Sequence, residues 1–275
     1  MLELSLEQIL INIAILSVCG IAAGFLAGLL GIGGGIVFVP VLYFVFIHAL
    51  HVDPDLAMVL ATGTSLMCMI PTSITAALAQ YKKGNTNTDV IKTWAFGLIL
   101  GVIAGSLISS FYGGQWLAIL FGCIMIVNSL NTLFRARAKP MFDSLPRPFF
   151  QNVIGFLISS FSVMLGVGGG TLTVPVLNAC SVPPHKSIGT SSAVSLFVCI
   201  PGAIILLTTG QTPDNAPFGT FGYVNVIAAL CVIPLSVLTA PLGVKAGKSI
   251  SPVTLKRIFA IALLIVSVRM LLSAI

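Results

Sequence analysis

Charged residues are scarce in this sequence, and their scarcity excludes an ordinary soluble domain. Asp, Glu, Lys and Arg make up 7% of the chain, whereas soluble domains carry about 25%. The six cysteines show no paired loop spacing, which argues against a disulfide framework and a zinc site. No Asp or Glu lies in the middle of an apolar run, so we do not expect the buried carboxylate relay that proton-moving membrane proteins use.

Long apolar stretches dominate instead. Hydrophobic residues make up 57% of the chain, and the mean hydropathy is +1.11. A run of about 20 apolar residues can cross a bilayer, and several such runs occur, so the sequence predicts an all-α polytopic membrane protein. The net charge of +6 fits basic loops that orient membrane helices better than it fits nucleic-acid binding. Glu3 and Glu7 stand where a signal peptide would be basic, so Ile9–Leu30 is predicted to be a retained helix.

One motif occurs twice. Leu30–Leu42 reads LGIGGGIVFVPVL and Leu165–Leu177 reads LGVGGGTLTVPVL, so a shift of 135 residues aligns them with nine of thirteen positions identical. We call Gly31–Gly35 the first glycine break and Gly166–Gly170 the second glycine break. Runs of glycine gain little from being helical. In a membrane, an irregular backbone is tolerated only where it is buried in protein or lines a cavity.

Each glycine break is followed by a short apolar segment that contains a proline. Proline suits the first turn of a helix, so we expect short helices that begin near Pro40 and near Pro175. A helix of about ten residues rises about 15 Å and cannot cross a hydrocarbon core of about 30 Å. The remaining apolar segments are predicted to be longer, and they are Ile9–Leu30, Ala57–Gln80, Trp94–Phe111, Trp116–Phe134, Phe149–Leu165, Ile188–Thr208, Tyr223–Val244 and Ile258–Ile275.

Several features of these segments carry specific expectations. Gly20, Gly24 and Gly28 give the first helix a face of small residues for close packing, on which alanine should also be accepted. Trp94 and Trp116 open two segments, as expected at the headgroup level. A Gly-Thr-Ser sequence follows each break, at Gly63–Ser65 and at Gly189–Ser191, so the repeat extends beyond the breaks.

The distribution of basic residues predicts how the two halves relate. If each break turns the chain as a hairpin, the connections around 81–92, 135–148, 178–187 and 245–257 lie on one side and carry twelve of the thirteen basic residues. If each break only kinked a spanning helix, the last of these groups would lie opposite the basic linker, against the positive-inside rule. The hairpin reading gives five segments per half, so the second half is predicted to be inverted. The predicted parts are a first repeat at 1–134, a cytoplasmic linker at 135–148 and a second, inverted repeat at 149–275.

The breaks also predict a kind of ligand. A helix that starts after glycines presents free N–H groups and the positive end of its dipole, which favour an anion. Two such ends from inverted repeats should meet near the midplane, where transporter sites lie. Close helix packing is the alternative role for the glycines, and hydrogen bonds to the helix backbone are the alternative role for each hydroxyl. No catalytic site, metal site or cofactor is predicted.

The paired GxGGGxxxVPxL motifs, each followed by a Gly-Thr-Ser helix, resemble the sulfite exporter TauE/SafE family of the toluenesulfonate uptake permease group. The resemblance implies a secondary transporter of small sulfur-containing anions, of the sulfite, sulfonate or sulfoacetate type, that works by alternating access in the plasma membrane (the inner membrane of a Gram-negative cell). Ile36 stands opposite Thr171 in the repeat, so the second half is expected to hold more of the polar contacts. The expected substrate-binding residues are Gly33, Gly34, Gly35, Thr64, Ser65, Gly168, Gly169, Gly170, Thr171, Thr190, Ser191 and Ser192.

Other functions are consistent with parts of the sequence. An anion channel could use the same site, and saturable flux with counterflow would distinguish a transporter from it. An intramembrane hydrolase would need Ser65 or Ser191 within hydrogen-bond reach of His48 or His185, and these histidines lie at segment ends. The sequence leaves open which anion is carried, the direction, any coupling ion and the oligomeric state, a homodimer being one option.

Overall fold

Helices make up almost all of the chain in the computed structural model, which describes residues 6–30, 33–134, 141–210, 212, 215–246 and 252–274. The helices in this part of the chain are α1 (Leu6–Leu30), α2 (Gly35–His48), α3 (Pro54–Lys82), α4 (Thr88–Phe111), α5 (Gly114–Phe134), α6 (Pro148–Leu165), α7 (Gly170–Ala179), α8 (Pro184–Thr209), α9 (Val226–Ala246) and α10 (Pro252–Ala274). Seven of the described helices are long and apolar enough to cross a membrane. The prediction of an all-α multi-pass protein is confirmed. The exception is a short hairpin before α9, formed by the two-residue strands β1 (Thr220–Phe221) and β2 (Val224–Asn225).

The two short helices are present, but they begin earlier than predicted. α2 has 14 residues and α7 has 10, so at about 1.5 Å per residue neither can span a core of about 30 Å. They begin at Gly35 and Gly170, and Pro40 and Pro175 lie inside them. The glycines have already redirected the chain, since the carbonyl of Gly34 accepts hydrogen bonds from the next turn. Each short helix therefore starts at its glycine break and continues through its proline.

The helices pack in reciprocal pairs. α1 lies along α9, and α4 lies along α6, so each pair joins one helix from each predicted half. α3 packs against α8 and α5 against α10, which are the corresponding helices of the two halves. A duplicated chain is expected to produce this pattern. The inverted orientation of the halves across the bilayer, and the division of the chain at the linker, stay predictions.

Close backbone approach explains the small-residue face of α1. A Cβ on Gly20, Gly24 or Gly28 would overlap a backbone carbonyl of α9, at Val232, Ser236 and Ala240 respectively. Close packing was predicted, but the expectation that alanine would be accepted there was wrong, because the partner atoms are main-chain atoms that cannot turn aside. On α4, Gly97, Gly101 and Gly105 approach α6 in the same way.

The side chain of Trp94 does not face lipid, whatever its depth in the membrane. Its side chain is fully buried between α4 and α6, and its Nε1–H donates to Oε1 of Gln151 at 3.1 Å. A buried indole needs such an acceptor, and the sequence alone did not reveal that Gln151 supplies it. Trp116 is 46% exposed, as a side chain at an interface can be.

Topology can be tested by labelling single cysteines in a background that lacks the six native ones. The basic linker is described only from residue 141 onwards, and Gly31, Asp214 and Lys248 also lie outside the described residues. We expect Asp143→Cys and Lys245→Cys, both at exposed positions, to react from the cytoplasmic side, and Phe218→Cys, at a position 91% exposed, to react from the opposite side. Reaction of the first two from opposite sides would refute the inverted arrangement.

Candidate functional site

The two glycine breaks touch each other in the centre of the structure. A Cβ built on Gly35, the first residue of α2, would lie 2.5 Å from Cα of Val167 and 2.6 Å from the carbonyl oxygen of Gly166. Only a residue without a side chain allows this approach. The start of α2 therefore lies directly against the chain that leads into α7, and the N-terminal ends of both short helices come together.

Left-handed backbone conformations form both breaks. Gly33 has φ of 76° and Gly34 has φ of 86° in the first, and Gly166 has φ of 65° and Gly168 has φ of 63° in the second. Residues other than glycine rarely adopt these angles. Gly169 differs, since its φ of −63° is an ordinary helical value. The sequence identified the glycines, but it could not tell which of them needed the left-handed conformation.

Serines from the two central helices hold the second break in place. The hydroxyl of Ser65 on α3 donates to the carbonyl of Gly166 at 2.7 Å. On α8, Oγ of Ser195 accepts a hydrogen bond from the backbone N–H of Gly170 at 3.1 Å and donates to the carbonyl of Ser191 at 3.0 Å. The bonds to Gly166 and Gly170 fix the chain at both ends of the break. The bond to Ser195 also occupies the backbone N–H of Gly170, the first residue of α7.

The thioether of Met69 occupies the junction between the breaks. A Cβ on Gly33 and a Cβ on Gly168 would each overlap the same atom, Cε of Met69. A Cβ on Gly35 would lie 2.8 Å from its Sδ. Met69 is fully buried on α3, so its terminal methyl fills the space between the two breaks.

Buried hydroxyl groups near the second break lack a hydrogen-bond partner in the described part of the chain. They are those of Ser162 at the end of α6, Thr62 on α3 and Thr171 in the first turn of α7. Thr62 is close to the break, because a Cβ on Gly166 would lie 2.8 Å from its Cα. Buried polar groups are almost always hydrogen-bonded in proteins, and each exception calls for an explanation. A polar ligand or water at the second break would supply the partners.

The site is polar without being charged. Every buried polar side chain for which exposure is described is a hydroxyl or an amide, and none is Asp, Glu, Lys, Arg or His. A charged ligand at the breaks would therefore meet N–H groups, hydroxyls and helix dipoles rather than an opposite side-chain charge. The N-terminal ends of helices favour negative charge.

Comparison with known proteins now identifies the family. Residues 16–270 match the family model described as sulfite exporter TauE/SafE. This chain belongs to the TauE/SafE family. No solved structure matches it.

Curated relatives of this TauE/SafE chain are named as membrane transporters. A "Probable membrane transporter protein" of Haemophilus influenzae is 30% identical over 92% of this chain and 96% of its own length. The "Probable membrane transporter protein YunE" of Bacillus subtilis is 25% identical, over 96% of this chain and 99% of its own length. A relative from Methanocaldococcus jannaschii is 28% identical over 96% and 97%. The chain is thus a multi-pass membrane transporter and not an enzyme.

Two of the predicted site residues in this TauE/SafE protein lie elsewhere. Oγ1 of Thr64 accepts a hydrogen bond from the backbone N–H of Asn225 at 2.9 Å, and Oγ1 of Thr190 accepts one from Asn87 at 2.9 Å. Asn87 is the N-cap of α4, and the Asn225 side chain accepts from Ala228 in the first turn of α9. On a helix of 3.6 residues per turn, Thr64 points about 140° away from Met69. The two threonines therefore join the halves, each holding the start of a helix in the other half.

Of the remaining predicted hydroxyls, those of Ser191 and Ser192 have local partners, whereas that of Thr171 has none in the described part of the chain. Ser191 and Ser192 both donate to the carbonyl of Ile188, at 2.9 Å and 3.0 Å. They lie one turn before Ser195, on its side of α8. Gly169 packs on Val194, whose Cγ1 would be 2.6 Å from an added Cβ, and Gly34 packs on the ring of Phe38. Of the predicted hydroxyls, that of Ser65 is the one with a described hydrogen bond to a residue of a break.

Met69 and Ser195 were missed by the sequence-based interpretation, although the sequence contains a signal for them. The shift of 126 residues that aligns Gly63–Ser65 with Gly189–Ser191 also aligns Met69 with Ser195. Each lies four residues after the serine of its motif, which places both on the same face one turn further along the helix. The two equivalent positions thus meet at the same junction, one with a thioether and the other with a hydroxyl.

Proposed function

We propose that this protein is a secondary transporter of small sulfur-containing anions, such as sulfite, sulfonates or sulfoacetate, and that it binds them where the two glycine breaks meet. The observation that carries the proposal is the junction itself, where the N-terminal ends of α2 and α7 come together at left-handed glycines. Both ends favour negative charge. The family description supports the substrate class, since it names sulfite.

The unpartnered hydroxyls support a polar ligand at this place. Thr171 is 2% exposed and lies in the first turn of α7, where its Oγ1 has no partner among the described residues. An oxyanion can accept from such a hydroxyl and from the N–H groups of the same turn. Because charged side chains are absent from the described core, the site suits a small anion that is released readily rather than held by an ion pair.

Transport is proposed to proceed by alternating access around the junction. α2 and α7 are too short to cross the bilayer, and each lies beside a central helix of its own half, α3 or α8. A rocking motion of one group of packed helices against another would expose the junction to each side in turn, as in transporters built from repeats. The close contact of the breaks, through Gly35 and Gly166, is the point that such a motion must open.

The proposal predicts that binding follows charge and oxyanion shape. We expect purified protein to bind sulfite, methanesulfonate and sulfoacetate, and to bind neutral dimethyl sulfone at least about 100-fold more weakly, because hydrogen bonds to a charged group contribute about 1.5–3 kcal/mol each. Isothermal titration calorimetry in detergent measures both. Equal affinity for dimethyl sulfone would contradict an anion site formed by N–H groups.

Reconstitution in liposomes separates a transporter from a channel. A transporter should show flux that saturates with substrate concentration, and unlabelled anion on the far side should accelerate uptake of labelled anion. Flux that rises linearly and shows no counterflow would indicate a channel with the same site. Failure of every anion in the panel to bind or cross would remove the assigned substrate class.

A further inference from the structure

We propose that Met69 is the residue that limits access to the anion site and sets the size of the anion it accepts. The inference rests on the proposed function, since it concerns the same junction of the glycine breaks. In this proposal the side chain of Met69 competes with the anion for the same space. In this conformation the space between Gly33 and Gly168 is filled by one methyl group, Cε of Met69.

The contacts show that this methyl lies at the centre of the junction. Added Cβ atoms on Gly33 and on Gly168 would both overlap Cε, and one on Gly35 would lie 2.8 Å from Sδ. One thioether therefore covers the backbone of both breaks at the start of both short helices. An anion that reaches the N–H groups from between the breaks needs the volume that this side chain occupies.

Methionine is suited to moving out of such a space. Its side chain is unbranched, has three rotatable bonds and fills irregular gaps. The equivalent residue of the other half is Ser195, so the Cε methyl of Met69 is the larger group at the junction. The hydroxyl of Ser195 is held by hydrogen bonds to Gly170 and Ser191. The asymmetry places the movable group on α3 and the fixed group on α8. Binding of an anion should therefore be coupled to a change of the Met69 rotamer.

Competition between the Met69 side chain and the anion should lower the measured affinity for the anion. A side chain that fills the site in nine of ten molecules lowers the apparent affinity for the anion about tenfold. Met69→Ala removes the competitor, so we expect it to bind sulfite roughly tenfold more tightly than the wild type does. The enlarged space should also admit benzenesulfonate, which the wild type is expected to bind at least about tenfold more weakly than methanesulfonate.

A matched control is available on the same helix. Met58 is also fully buried on α3, and it lies 11 residues before Met69, about 16 Å along the helix axis. Met58→Ala makes the same truncation away from the junction, so it should leave both affinities unchanged. Wild-type affinities for sulfite and benzenesulfonate in Met69→Ala would overturn the inference.

A measurement on the wild type covers the case in which Met69→Ala does not purify as a single species. The eight methionines can carry ¹³C-labelled methyl groups, and the signal that disappears in Met69→Leu assigns Met69. Sulfite at a concentration that saturates calorimetric binding should shift the Met69 signal and leave that of Met58 in place. An unmoved Met69 signal would overturn the inference while the proposed function stands, whereas a wild type that binds none of the anions would overturn both.

Discussion

Gly33→Ala and Gly168→Ala should each abolish anion transport, while the protein still inserts and purifies as a single species. Both glycines have left-handed backbones, which cost an alanine about 1–3 kcal/mol. In both, the new methyl would also overlap Cε of Met69. The side chain of Met69 can rotate away, so it is the strain of the left-handed backbone that should force the break into another conformation and turn its N–H groups away from the ligand. Loss of two hydrogen bonds to an anion, at about 1.5–3 kcal/mol each, lowers affinity at least about 100-fold.

A matched control separates backbone strain from loss of the site. Gly84 has φ of 69°, as left-handed as the two break positions, but a Cβ on it would have no atom within 4 Å. Gly84→Ala therefore carries similar strain at a distance from the breaks, and it should transport at close to the wild-type rate. Uptake of labelled sulfite into proteoliposomes measures all three variants. Normal uptake by both break variants would show that the breaks are not the binding site.

The pattern of the sequence predicted the helices and the breaks because both depend on local properties. Apolar runs set the spans, and runs of glycine set the interruptions. The start of each short helix was misplaced by about one turn, because Pro40 and Pro175 were interpreted as first-turn residues. In the structure a left-handed glycine precedes each start, Gly34 before α2 and Gly168 before α7. Neither left-handed conformation can be inferred from residue type.

The candidate site was predictable only in part, because tertiary contacts decide which hydroxyls reach it. Ser65 contacts the second break, as expected, but Thr64, the residue before it, points to another side of α3 and accepts a hydrogen bond from Asn225. Adjacent residues of a helix point about 100° apart, so a motif of neighbouring polar residues cannot all face one ligand. Met69 was not considered because a methionine in an apolar helix is ordinarily a packing residue. Its contact with both breaks becomes evident only when α3 is placed between them.

The reciprocal threonine contacts explain why the Gly-Thr pairs recur. Gly63 and Gly189 leave room for the backbone carbonyls of Tyr223 and Asn85, which an added Cβ would overlap. The threonine that follows each glycine accepts a hydrogen bond from a backbone N–H in the other half, that of Asn225 or Asn87. Each Gly-Thr pair therefore attaches its own helix, α3 or α8, to the start of a helix in the other half.

Gly24→Ala should destabilise the protein more than its small change in volume suggests. The added methyl would overlap the carbonyl oxygen of Ser236 and Oγ1 of Thr239, and it would lie 2.6 Å from Cα of Ser236. The threonine can rotate, but the backbone of α9 can give way only by moving the helix. Overpacking of this kind costs about 1–3 kcal/mol or more.

Thermal unfolding in detergent measures the effect, and Gly155→Ala is its control. Since 1 kcal/mol shifts Tm by about 2–4 °C in a chain of this size, a cost of about 1–3 kcal/mol should make Gly24→Ala lower Tm by roughly 2–12 °C. Gly155 lies inside α6, where a Cβ would be 3.3 Å from its nearest neighbour, the carbonyl oxygen of Trp94. Alanine is a better helix former than glycine by about 1 kcal/mol, which offsets this tight contact, so Gly155→Ala should change Tm much less than Gly24→Ala does. An unchanged Tm in Gly24→Ala would contradict the close backbone packing of α1 on α9.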